Sequence, residues 1–175
     1  MPRKGLVTIF TGDGKGKTTA AIGTAVRAAG YGLRVYIVFF LKGKMFSQGE
    51  ALSLERFPNI KTVSFGANSW IKKGAVNAQA RTQAAKALKA ASKAMDSGDY
   101  DLVIMDEVNG AVDFGLIPLE DVIEVVTARP ESVDLLLTGR HADARIIQMA
   151  DVVTEMVNVK HAFERGVKAR EGIDF

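Results

Sequence analysis

Residues 11–19 read Thr-Gly-Asp-Gly-Lys-Gly-Lys-Thr-Thr. The run before them, Leu6-Val-Thr-Ile-Phe10, is short, apolar and rich in β-branched residues, as a buried strand is. The segment after them, Thr18 to Ala29, is rich in alanine and reads as a helix with Gly30 as its C-cap. A strand, a glycine-rich loop and a helix in that order closely match the P-loop pattern GxxxxGK[ST]. Glycines let the backbone curl until several N–H groups point at one phosphate group, and the helix N-terminus adds partial positive charge. In this pattern Lys17 reaches a phosphate oxygen and the Thr18 hydroxyl ligates Mg²⁺. The first glycine of the pattern is replaced by Thr11, while Gly12, Gly14 and Gly16 keep the loop supple. The competing reading, a surface turn rich in glycine and lysine, does not account for Gly-Lys-Thr falling at the strand-to-helix junction.

The alternation continues along the chain. Strands are expected at Arg34 to Phe40, Lys61 to Phe65, Asp101 to Met105, Val133 to Leu137 and Val152 to Val157. Helices are expected at Ala75 to Met95, at Pro118 to Ala128 with proline in the first turn, and at Asp143 to Ala150. Repeated strand–helix units imply an α/β fold with a parallel sheet covered on both faces. Right-handed crossovers then gather the loops that follow the strands at one rim. Segments 11–19, 41–50, 66–74, 106–115 and 138–142 should meet there. With 175 residues, no repeat and no linker, one domain over residues 1–175 is expected.

Composition removes several chemistries. There are no cysteines, so disulfides, zinc ribbons, iron–sulfur clusters and thiol nucleophiles are excluded. Two histidines leave little room for a multi-histidine metal site. The longest apolar run, Val35 to Leu41, is far shorter than the roughly 20 residues a bilayer requires. The first residues carry no signal-like apolar core, so a cytoplasmic, membrane-free protein is expected. The net charge is only +3, but residues 1–44 hold eight basic residues and one acid, Asp13, for a local +7. That asymmetry suits an anionic ligand as well as it suits solvated loop lysines. No basic strip with interleaved aromatics marks a nucleic-acid surface.

A P-loop needs a further acid for its metal. Asp106-Glu107 closes the apolar run Leu102-Val-Ile-Met105, where such an acid belongs. Burying an unpaired charge is costly, so an acidic pair there points to function. The pair is expected to hold Mg²⁺, with the alternative that one of the two instead caps the next loop. The guanine-reading Asn-Lys-x-Asp is absent, which favours ATP.

Several further motifs follow in order. They are Gly12-Asp-Gly-Lys-Gly-Lys-Thr-Thr19 with Ala20-Ala21, Arg27-Ala-Ala-Gly30, Phe40-Leu-Lys-Gly43, Tyr100-Asp-Leu-Val-Ile-Met-Asp-Glu107 and Arg129-Pro130. After them come Leu137-Thr-Gly-Arg140, Ala150-Asp-Val-Val-Thr-Glu-Met156, Val159-Lys-His161 and Gly166-Val-Lys-Ala169. The series resembles the ATP:corrinoid adenosyltransferases of the CobA/BtuR type over about residues 5 to 173. The resemblance implies a homodimeric enzyme with a three-layer P-loop NTPase (RecA-like) fold. It would transfer the 5′-deoxyadenosyl group of ATP to Co(I) of a corrinoid and release triphosphate. Cobalt(I) is then the nucleophile and the C5′–O bond breaks. The protein's tasks are positioning, exclusion of water and stabilising the leaving triphosphate.

Carried over by motif, Gly12, Asp13, Gly14, Lys15, Gly16, Lys17, Thr18 and Thr19 would hold the triphosphate. Lys17 would neutralise it, and Thr18 with Glu107, or Asp106, would hold Mg²⁺. Arg140 would pair with phosphate oxygens or serve a structural ion pair. Arg27 would reach the nucleotide or stand on the helix surface, and Asn109 joins the candidate binding residues. Glu155, Lys160 and His161 would line the site or fix the C-terminal segment. Trp70 would face the corrinoid or sit in the core. Three departures stand out. Phe39-Phe40 replaces the family's usual Gln-Phe, removing an amide near the site. Asn68 replaces a phenylalanine in Phe65-Gly-Ala-Asn-Ser-Trp70. An N-terminal lid over the corrinoid is expected to be missing. A flavodoxin-like reductant is the expected source of Co(I).

Two other functions keep the same fold. A P-loop ATPase or phosphotransferase would release phosphate or ADP. A non-catalytic corrinoid- or nucleotide-binding protein would bind both ligands and form no adenosylated product.

Overall fold

The computed structural model describes residues 4–41, 49–66 and 77–174. Trp70, Asn68 and most of the expected rim segments 41–50 and 66–74 lie outside them. Six strands form one sheet: β1 (Val7–Thr11), β2 (Val35–Phe39), β3 (Ile60–Ser64), β4 (Leu102–Asp106), β5 (Asp134–Thr138) and β6 (Val152–Glu155). Their order is β3-β2-β4-β5-β1-β6, and every neighbouring pair is parallel. β5 therefore lies between the strand that feeds the glycine loop and the strand that ends in Asp106.

All five residues of β2 and of β4 are buried, because helices cover both faces of the sheet there. Alternate residues serve alternate faces. Val35, Ile37, Phe39, Leu102, Ile104 and Leu136 pack with Ala21 and Ala25 of helix α1 (Lys17–Gly30). Val38, Phe40, Val103, Met105, Leu135 and Leu137 share the opposite core with helix α3 (Ala78–Asp96). α3 lays down Ala80, Ala84, Ala87, Ala91 and Ala94 at helical spacing, with Leu88 and Met95 filling between. Fully burying one such Leu or Ile side chain stabilises the fold by roughly 1.5–3 kcal/mol. Phe39, expected as a departure near the site, is wholly buried in the α1-side core.

Several boundaries differ from the sequence-based expectation. α1 runs through Gly30, and Tyr31 takes the C-cap, donating to the Ala28 carbonyl. α3 starts at Ala78, where the Asn77 side chain accepts from Ala80 N at 2.8 Å. Pro118 is the N-cap of α5 (Leu119–Ala128), one position earlier than expected. β6 stops at Glu155 because Met156 turns to bond with the loop after β1. Two six-residue helices, α2 (Gly49–Leu54) and α4 (Val108–Asp113), are too short to show a period in the sequence. α6 (Ala144–Met149) is capped by Asp143, which accepts from Arg145 N at 2.8 Å.

Candidate functional site

Of the five segments expected to meet at one rim, the described residues show 11–19, 106–115 and 138–142 brought together at the C-terminal ends of β1, β4 and β5. Gly16, with φ +119°, turns the chain into α1 in a conformation that side chains resist. The first turn of α1 carries no acid, so its N–H groups keep their attraction for an anion. Lys17 is buried, with its ammonium donating to the Gly12 carbonyl at 2.7 Å and the Gly14 carbonyl at 2.8 Å. Burial holds its pKa below the usual lysine value. Glu107 opposes that effect, Arg140 adds to it, and Asp13 and Asp106 oppose it. Four of the charges anticipated from the sequence therefore act on one ammonium. Thr18, partly buried, follows on the same turn.

Asp106 is 1% exposed and accepts a 2.7 Å hydrogen bond from the Thr138 hydroxyl, itself fully buried. The same hydroxyl oxygen accepts from Glu107 N at 2.9 Å. Thr138 thus locks the acidic pair to β5. Glu107 adopts φ +64° as the N-cap of α4, a rare conformation for a side-chain-bearing residue. It divides the pair: Asp106 stays in the sheet and Glu107 turns toward the loop. Asn109 is 1% exposed against Gly139, and its side-chain amide has no hydrogen-bond partner among the described residues.

Thr11, the departure from the motif, has a visible use. Its hydroxyl accepts from Ala142 N at 3.2 Å, and Gly139 N donates to Phe10 O at 3.2 Å. These bonds tie the segment after β5 to the start of the glycine loop. Arg140 is thereby placed over the loop, with Nε 3.9 Å from Asp13. His141 follows at φ +53° and bridges two acids, with Nδ1 3.1 Å from Asp113 and Nε2 3.8 Å from Asp13.

The remaining candidates scatter. Arg27 is exposed in the last turn of α1, about 15 Å along the helix axis from Lys17. Lys15 is engaged elsewhere, donating to Ile173 O at 3.0 Å and pairing with Asp174. The ion pair and the Arg170 N–H groups hold the Asp174 carboxyl well below the usual carboxylate range. Glu155 is exposed on β6 beside Gly12, and Lys160 is exposed beyond it. His161 caps a short 3₁₀ turn, Ala162–Arg165, by accepting from Phe163 N at 3.1 Å. That bond helps hold the C-terminal segment, one of the two roles expected for His161. Sequence reasoning passed over Thr138, His141 and the Thr11 hydroxyl. Thr138 lay inside the Leu137–Arg140 motif, whereas nothing in a single sequence marks His141.

Among the described residues no three His, Cys, Asp or Glu side chains form a metal cluster. A hydroxyl and one or two carboxylates are too few donors for a closed protein cage. They suit Mg²⁺, which keeps waters and substrate phosphates in its shell. No helix among the described residues is long and apolar enough to cross a membrane.

Comparison with known proteins agrees with the fold. The chain resembles in fold a KaiC-like protein from Pyrococcus horikoshii, with a TM-score of 0.58, 19% identity, and coverage of 87% of this chain and 73% of that one. The cytoplasmic domain of EssC matches with a TM-score of 0.54 at 14% identity, covering 97% of this chain and 34% of that one. In sequence, it is 40% identical to the corrinoid adenosyltransferase CobA of Salmonella typhimurium and 38% identical to the corrinoid adenosyltransferase of Escherichia coli K12. Each match spans 98% of this chain and 86% of the relative. The corrinoid adenosyltransferase of Pseudomonas aeruginosa is 36% identical over 98% of this chain and 84% of its own. The family model for ATP:corrinoid adenosyltransferase BtuR/CobO/CobP matches residues 3–175, and the chain belongs to that family.

Proposed function

We propose that the rim around Lys17 is the active site at which this chain transfers the 5′-deoxyadenosyl group of ATP to Co(I) of a corrinoid. The observation that carries the reading is the convergence of Glu107, Arg140, Asp13 and Asp106 on the buried Lys17 ammonium, in a chain of this family. The glycine loop and the first turn of α1, from Gly12 to Thr19, cradle the triphosphate. Lys17 leaves the carbonyls of Gly12 and Gly14 and neutralises the charge that develops on the leaving triphosphate. Arg140, 3.9 Å from Asp13 of the loop, would pair with the phosphate oxygens. Thr18 and Glu107, with Asp106 behind them, would hold Mg²⁺, which when bound supplies further neutralisation of the triphosphate. Asn109 offers an amide with hydrogen-bonding capacity to spare beside these acids.

The nucleophile arrives with the corrinoid, so the protein needs no activated side chain. Its contribution is alignment of C5′ with cobalt and exclusion of water. Trp70 is proposed as a corrinoid contact and Arg27 as an outlying nucleotide contact. The enzyme works as one P-loop domain, as a cytoplasmic homodimer, with a flavodoxin-like donor supplying the electron.

Mixing the protein, Mg-ATP and chemically reduced cobalamin or cobinamide without oxygen tests the reading. A photolabile Co–C product and one triphosphate per turnover are expected. Phosphate or ADP in place of triphosphate would indicate an ATPase or phosphotransferase, and binding without product a non-catalytic role. Lys17→Ala should lower turnover by about 100-fold or more while leaving the circular dichroism spectrum unchanged.

A further inference from the structure

The outer side of the glycine loop lies against the chain that follows β6. Met156 N donates to Thr11 O at 2.8 Å, and Gly14 N donates back to Met156 O at 2.7 Å. The contact is too close for a side chain. A Cβ on Gly14 would fall 2.7 Å from the carbonyl oxygens of both Met156 and Val157, and one on Gly12 would fall 2.5 Å from that of Met156. Gly14 does not have a positive φ, so conformational freedom is not what calls for glycine there. The neighbouring backbone is. The bond to Met156 also removes the Gly14 N–H from those available to a phosphate. Farther along, the chain returns to the loop a second time. Lys15 donates to Ile173 O and pairs with Asp174, which also accepts from Arg170 N at 2.9 Å and from Arg170 Nε at 3.1 Å.

We propose that residues 155–174 form a strap that sets the shape of the phosphate loop. The Met156 main chain is its clamp and the Lys15–Asp174 pair its second fastening. Lys15 is then a positioning residue, distinct in role from the triphosphate-binding Lys17. The inference rests on the proposed function only for its ligand, Mg-ATP. The strap itself is a property of the ligand-free protein.

The test compares Lys15→Ala, Asp174→Ala, the double variant and Gly14→Ala. Hydrogen exchange at the Gly14 and Met156 amides of ligand-free protein reads the strap, and calorimetric titration with Mg-ATP reads its effect on binding. Each single variant at the ion pair should weaken ATP binding about two- to five-fold, the range of an exposed pair. The double variant should be no weaker than either single one, because both remove the same fastening. Both should quicken exchange at Gly14, and Gly14→Ala should quicken it at Met156. If Asp174→Ala leaves binding unchanged or tightens it while Lys15→Ala weakens it, Lys15 is a triphosphate ligand and the proposal falls. It falls equally if Met156 stays protected in Gly14→Ala. Wild-type protein that does not bind ATP would overturn the functional reading, while the exchange measurements would still decide the strap.

Discussion

Lys17 has neighbours that a sequence motif does not describe. Its ammonium is bonded to two carbonyls of its own loop, and in the proposed function a triphosphate would replace those bonds. Burial lowers its pKa from the ordinary 10.5. Between the lowered native value and 10.5, the unfolded chain holds a proton on this lysine that the folded chain has released. Folding is therefore favoured increasingly as pH rises through that window, and the cost of burying the charge is fully present below it. Lys17→Met removes this dependence. Its stability relative to wild type should be greatest near about pH 7.5 and smaller near about pH 10, as measured by urea unfolding at both.

The loops that follow the strands are built so that elements meet closely. Gly139, after β5, has φ +131°, and a Cβ there would lie 2.7 Å from Gly110 N at the start of α4. Gly139→Ala should cost about 2 kcal/mol or more in urea unfolding, through strain and displacement of α4. Gly23 gives the contrasting case, inside α1 with nothing within 4 Å of an added Cβ. Gly23→Ala should stabilise by about 0.5–1 kcal/mol in the same measurement. The opposite edge of the sheet has its own use for acids. Asp134, Asp151 and Asp101 accept from the backbone N–H groups of Leu6, Val7 and Arg34, each at 2.8 Å. Acids at the strand starts fasten the sheet through backbone N–H groups, whereas at the end of β4 Asp106 and Glu107 both act on the Lys17 ammonium. Strand polarity separates the two roles.

At the scale of the whole molecule, the site joins three strands that are far apart in sequence. A ligand held there couples β1, β4 and β5, and must stabilise the fold by mass action. At 100 times its dissociation constant, Mg-ATP should add about 2.7 kcal/mol. For a chain of 175 residues that corresponds to a rise in Tm of roughly 5–10 °C in a thermal melt. Lys17→Ala should remove most of the rise. β6, at the sheet's edge, is exposed along its whole length, yet its extension supplies Met156 to the loop.

The glycine loop, the acidic pair and the alternation of strands and helices were legible in the sequence. Each is a local pattern: a turn that needs glycine, a carboxylate at the end of an apolar run, a period of two or of 3.6. Arg140 and Lys15 were both read from their motifs as triphosphate contacts; that Arg140 acts on the Lys17 ammonium while Lys15 pairs with Asp174 was not legible. Both are basic residues near glycines, and only the order β4-β5-β1 and the return of the C-terminal chain tell them apart. The same holds for Thr138, whose hydroxyl fixes Asp106 from a neighbouring strand 32 positions away. Sequence by itself determined which residue types and local shapes could bind a phosphate. Tertiary structure decided which of them act together, because electrostatic and hydrogen-bond energies depend on distance in space, and a single chain does not encode that distance in its local patterns.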